Sequence, residues 1–222
     1  MKNWILLKED DDTNIPDTDA SLIVKALPQI YSPFFAALPT GLTNRIKFVI
    51  LKLGYQRGYC GYANLGTKGA GAQLKNILNK EIDKYRDKFG THRFRSVEWL
   101  YDIHWYRDKD NTHFMPENLY MACESELHSP RDLNSGEKEK GEYYRPGVRY
   151  DFQKLLVTNA ILRVMIFRIG KMSELGDPNK GLANYFTEAI ESYKQLLPGS
   201  KFLFVCLHDK DFLYRYYERI NS

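Results

Sequence analysis

The chain has 222 residues, 43% of them hydrophobic and 27% charged, which is enough apolar content to bury a substantial core and excludes a disordered chain. Its net charge of +4 admits a polyanionic partner but falls short of the basic bias that would argue for nucleic acid on charge alone. Cys60, Cys123 and Cys206 stand far apart with no CxxC pair, so neither a disulfide framework nor a zinc site is expected, and a reducing, cytoplasmic setting suits the chain. The apolar part of MKNWILLKEDDD is too short for a signal peptide, and no run approaches the roughly 18 apolar residues of a membrane span.

Residues 1–42 read as an N-terminal arm and helical cap, and 43–222 as the main domain. The acidic, proline-containing stretch from Glu9 to Asp19 is a solvated arm leading into a helix near Ala20. Pro28 and Pro33 break the apolar run that follows into short pieces. Thr43 can cap a helix whose buried face carries Ile46, Val49, Ile50, Leu51 and Leu53, with Gly54 ending it. GYCGYANLG is a short strand. The glycine-rich Gly66–Gln73 lacks the Lys-Ser/Thr ending of a phosphate loop and reads as a flexible linker. Leu74, Ile77, Leu78, Ile82 and Tyr85 then recur at helical spacing.

The aromatic and β-branched run RFRSVEWLYDIHWYR is expected as a strand, with Trp99, Tyr101, Ile103 and Trp105 on one face and Glu98, Leu100, Asp102, His104 and Tyr106 on the other. A polar turn follows, and ENLYMACESEL returns as the second strand of a hairpin. Such pairing would bring Asp102, in mid-strand, beside Glu124 and Glu126. A polar loop from His128 to Val148 precedes the helix RYDFQKLLVTNA, with Asp151 near its start and Lys154 one turn on. ILRVMIFRI and KFLFVCLH are apolar enough for central strands, separated by the helix ANYFTEAIESYKQLL, and KDFLYRYYERI reads as a short C-terminal helix carrying Arg215 and Arg219. This order of elements describes an α/β fold with a mixed central sheet flanked by helices and a helical N-terminal extension.

Three carboxylates gathered in a half-buried site repel one another and lose hydration, which is costly unless a cation neutralises them. Oxygen donors without a cysteine or histidine cluster select a hard ion, Mg²⁺ or Mn²⁺, able to polarise a phosphodiester. Asp102 on one strand, Glu124-Ser125-Glu126 ending the next, and Asp151 to Leu156 opening a helix resemble the PD-(D/E)XK nuclease superfamily. The resemblance implies a restriction-endonuclease-like fold over roughly Thr43 to His208, with metal bound by Asp102 and Glu124. Glu126 stands where that motif has a lysine, and the resemblance implies that it holds a second ion or positions water there. Lys154 is the candidate for a lysine supplied from the adjoining helix. Tyr101 replaces the usual proline before the aspartate.

The expected activity is Mg²⁺-dependent endonucleolytic hydrolysis of DNA, of the restriction type, with duplex DNA as partner and a homodimer suited to cutting a short duplex site. Arg131, Lys138, Lys140, Arg145 and Arg149 lie near the motif in sequence and would contact phosphates. The alternative is a non-catalytic nucleic-acid-binding module on the same fold, and a third reading is a glycoside-cleaving enzyme using two carboxylates. Each residue also has a plainer role: Asp102 as a salt-bridge partner, Glu124 and Glu126 as solvent-facing strand-end residues, Lys154 as an exposed helix residue, His104 as a structural histidine.

Overall fold

The protein was analysed as a computed structural model, which describes residues 4–8, 13–90, 92–97, 100–108, 116–127 and 145–220. In chain order the elements are β1 (Ile5–Leu6), α1 (Thr18–Ala26), a 3-10 turn (Leu27–Tyr31), α2 (Pro33–Ala36), α3 (Leu42–Gln56), β2 (Cys60–Ala63), α4 (Gly69–Asp83), α5 (Arg86–Phe89) and β3 (Ile103–Asp108). Then come β4 (Pro116–Glu126), α6 (Pro146–Val157), β5 (Leu162–Ile169), α7 (Met172–Gly176), α8 (Leu182–Ser192), β6 (Lys201–His208) and β7 (Asp211–Glu218). The strands form a seven-stranded mixed sheet in the order β1-β7-β6-β5-β4-β3-β2, flanked by helices. By contacts the chain divides into two compact units, Thr13–Cys123 with Asn159–Ile161, and Met1–Asp12 with Glu124–Thr158 and Leu162–Ser222. Among the described residues no helix is long and apolar enough to cross a membrane.

In the first of these units, the Asp17 carboxylate accepts from the Ala20 N–H at 3.0 Å and so caps α1, and the two prolines reduce the next stretch to the 3-10 turn and α2. Helix α3 starts on Gly41 as its cap and runs on past Gly54. Gly54 is not a helix terminator: a Cβ there would stand 2.5 Å from Nε1 of the buried Trp105, so it gives the ring room. The stop comes at Arg57, before Gly58 with φ 86°. The glycine-rich segment is likewise more than a linker, since α4 begins at Gly69. Gly71 lies so close to the Leu65 carbonyl that a Cβ would meet the oxygen at 2.0 Å.

Strand β3 is shorter than its aromatic run. Backbone bonds upstream go elsewhere: the Phe94 N–H donates to the Asn79 side chain, Ser96 makes only an isolated bridge to Ala63, and Leu100 is 67% exposed. Asp102 therefore sits just before the strand, not within it. From Ile103 the ladder is antiparallel to β4, and Ile103, His104, Trp105 and Tyr106 are all buried, so both faces of the strand are covered here.

In the other unit, β5 and β6 pair in parallel over their whole lengths, as their continuous apolar runs require. Helix α6 starts at Pro146, earlier than the polar loop suggested, with proline at its favoured first position. The C-terminal segment is a strand, not a helix. Asp209, with φ 55°, turns the chain after β6, and β7 returns antiparallel from Asp211 opposite His208, burying Phe212 and Tyr214 at period two. Its arginines serve α8: Arg215 donates to the Thr187 hydroxyl at 3.0 Å, and Arg219 donates to the carbonyls of Ile190 and Tyr193 at the helix end.

Candidate functional site

Glu124 lies near the end of β4, directly after the fully buried run Met121 to Cys123, and is only 3% exposed. A carboxylate taken out of water needs a counter-charge. Lys154 of α6 supplies it, with Nζ 2.7 Å from Glu124 Oε1 and 2.9 Å from Asp151 Oδ1. The 3.6-residue period puts Asp151 and Lys154 on one face of α6, and the amphipathic register that buries Phe152, Leu155 and Leu156 leaves that face at the helix margin. Burial alone would lower the lysine's pKa, but the hydrogen bonds and charges of Glu124 and Asp151 outweigh it and raise it well above the ordinary range. Lys154 is thus a fixed cation at every physiological pH. It is not a proton acceptor.

Two carboxylates share this one ammonium. Glu126, half-buried, packs against the first turn of α6, where a Cβ on Gly147 would come within 3.3 Å of its Oε2. Gly147 therefore keeps the space for this carboxylate, and the exposed N–H groups of the helix start favour an acid there.

Asp102 has its own ammonium. Lys47 of α3 is buried and places Nζ 3.0 Å from Asp102 Oδ1, with the two side chains 8% and 21% exposed. Sequence reasoning passed over Lys47. The signal was present, since Leu51 and Gly54 follow it at four and seven residues on a stripe of α3 that is buried. The β3/β4 ladder includes Ile103 opposite Cys123, the residues adjoining Asp102 and Glu124 in the chain. His104 is fully buried opposite Ala122, and burial lowers its pKa to about 4.

Of the basic residues expected at phosphates, Arg131, Lys138 and Lys140 lie outside the described residues. Arg145 is buried: it caps α6 in a left-handed conformation, φ 56°, and its Nε donates to Glu174 Oε2 at 2.7 Å. Glu174 uses its other oxygen to accept from the Gly170 N–H. Arg149 is partly exposed on α6, its guanidinium 4.1 Å above the Tyr185 ring and donating to the Lys180 carbonyl.

Among the described residues no three His, Cys, Asp or Glu side chains form a ready-made cage for a metal ion. The carboxylates of Glu124, Glu126 and Asp151 are oxygen donors of the kind a hard ion takes. Comparison with known protein families, with curated proteins and with solved structures finds no match to this chain.

Proposed function

We propose that this protein is a metal-dependent nuclease that hydrolyses DNA phosphodiester bonds on a restriction-endonuclease-like α/β fold. The observation that carries this reading is the buried Glu124 at the strand end, bonded to a lysine that the adjoining helix supplies. The sequence has Glu126 where the resembled motif has its lysine, and Lys154 on Glu124 provides an ammonium next to the motif's own acid.

The roles follow from charge and position. Glu124 and Glu126 would hold Mg²⁺ or Mn²⁺, the rest of the shell coming from water and phosphate oxygens, as such ions prefer; for Asp102 a metal role is what the resemblance to the motif implies. When bound, the ion polarises the phosphodiester and favours hydroxide formation. Lys154, held charged by Glu124 and Asp151, stabilises the negative charge that grows on the phosphoryl oxygens. Glu126, beside the first turn of α6, orients the attacking water. Lys47 neutralises Asp102 before substrate arrives, so that this half-buried acid does not oppose folding.

One observation favours a second reading. Asp102, Glu124 and Asp151 each have a lysine partner already, and a non-catalytic nucleic-acid-binding module would need no more. Incubating supercoiled plasmid and single-stranded circles with the protein and Mg²⁺ separates the two. A nuclease cuts, stops in EDTA, and is inactive as Glu124→Gln. Binding of both substrates at full strength by Glu124→Gln, with no cutting by the native protein in Mg²⁺ or Mn²⁺, would leave the binding module in its place.

A further inference from the structure

We propose that Arg145 and Arg163, buried at the two ends of α6, are positioning residues that fix this helix against β5 and so hold Lys154 on Glu124. The consequence for catalysis rests on the nuclease reading. Arg163, on β5 itself, is 6% exposed, and its Nε and Nη2 donate to the carbonyls of Leu155 and Thr158 at 3.1 and 2.7 Å. Leu155 adjoins Lys154, so this tie grips the backbone where the ammonium emerges. At the other end Arg145 Nε donates to Glu174 Oε2 at 2.7 Å, and Glu174 Oε1 accepts from the N–H of Gly170, the residue after β5. Both ends of α6 are thus tied to one strand.

The apolar face of α6 does not supply such a fix. Phe152 meets the rings of Phe186, Phe202 and Phe204 at centroid distances of 4.8, 6.0 and 5.6 Å, but apolar burial is non-directional and resists sliding less than a hydrogen bond does. The arginines are costly residues for the purpose of stability alone. Arg145 has its backbone in the left-handed region, φ 56°, which strains any residue with a Cβ. Its pair with Glu174 is taken out of water, where an apolar pair of similar volume would stabilise as well or better. Fixing register is the best-attested use of a buried ion pair. Arg163 buries its guanidinium 5.2 Å from the Phe202 ring, facing the carbonyl end of α6, where a cation is favoured. Register matters here because Lys154 Nζ stands 2.7 Å from Glu124 Oε1, and a misplacement of about 1 Å caused from far away can slow a reaction about 100-fold.

The test is the acetylation rate of Lys154 by an N-hydroxysuccinimide ester, followed by peptide mass spectrometry in the full chain without metal, with the exposed Lys210 as control. The variants are Arg163→Met and the pair Arg145→Met with Glu174→Gln. The pair removes both charges together, leaves no buried ion unpaired and keeps an acceptor for the Gly170 N–H. In each folded variant Lys154 should react about tenfold faster, as the neutral fraction grows in an amine no longer held by two carboxylates, while Lys210 is unchanged. Single-turnover cutting should slow about tenfold or more at unchanged substrate affinity. Should either variant fail to fold, Arg163→Lys or Arg145→Lys, which keeps the charge without the guanidinium fork, replaces it with the same expectation. Native reactivity of Lys154 in either folded variant, or an equal rise at Lys210, overturns the proposal. Faster Lys154 acetylation with no cutting by the native protein would sink the nuclease and keep the positioning role. Metal-dependent cutting with Lys154 reactivity unmoved would do the reverse.

Discussion

Lys47 and Lys154 both hold carboxylates, and they differ in what they leave for chemistry. Lys47 is nearly buried on Asp102, whereas Lys154 is 37% exposed and bridges two acids at the surface end of its side chain. Glu124 was legible because it follows the apolar strand run Met121 to Cys123, whereas Asp102, expected in mid-strand, lies just before β3; the lysines could be paired with them only once the helices had direction. His104, whose plainer reading is a structural histidine, is buried among Tyr62 and Tyr106. Burial lowers its pKa from the ordinary 6.5 to about 4. Between these values the unfolded chain takes up a proton that the native state refuses, so stability is complete above 6.5 and is lost as the pH falls toward 4. Chemical denaturation at pH 4.5 and 7.5 should show about 2 kcal/mol of this loss in the native protein and not in His104→Leu. Parallel losses in both proteins would assign the acid sensitivity to other groups.

At the scale of elements, the helices with clear 3.6-residue periodicity and the apolar strands β5 and β6 were readable, since one-sided burial writes its own period into the sequence. The failures have physical causes. β7 carries Phe212 and Tyr214 in alternation, but interleaved tyrosines and arginines gave it an amphipathic look; Arg219 caps the end of α8 and Arg215 bonds the Thr187 hydroxyl within it. The start of β3 failed because an aromatic run does not make a strand where the backbone finds no ladder. Gly54 looked like a helix end, yet its missing Cβ accommodates Trp105, a long-range contact that local rules do not include. Gly54→Ala should therefore destabilise the protein by about 1–2 kcal/mol in urea denaturation, overpacking outweighing the roughly 1 kcal/mol that alanine adds to helix propensity. A gain in stability would mean that the indole shifts freely. The α6 start was misplaced for a related reason: Arg145 adopts a left-handed cap that its buried bond to Glu174 sustains, and nothing local in the sequence marks that partner.

For the whole molecule, the general class was legible and is what the structure shows: α/β, with a seven-stranded mixed sheet flanked by helices. Alternation between helical and apolar strand segments suffices for that much, because a sheet with buried strands must be covered. The net charge of +4 is too small to name a ligand, so the function rests on the local chemistry of the acids and their lysines. The claim on which the rest depends is that Lys154 takes the place of the lysine absent at Glu126. Its direct test is the single-turnover cleavage rate in Mg²⁺ of Lys154→Gln and Lys154→Arg beside the native protein, with thermal melting to show that each is folded. A rate loss of about 100-fold or more in folded Lys154→Gln, with partial recovery in Lys154→Arg, is the expected result for a cation that stabilises charge in the transition state. Cleavage by Lys154→Gln at the native rate would contradict it and leave Lys154 as a structural partner of Glu124.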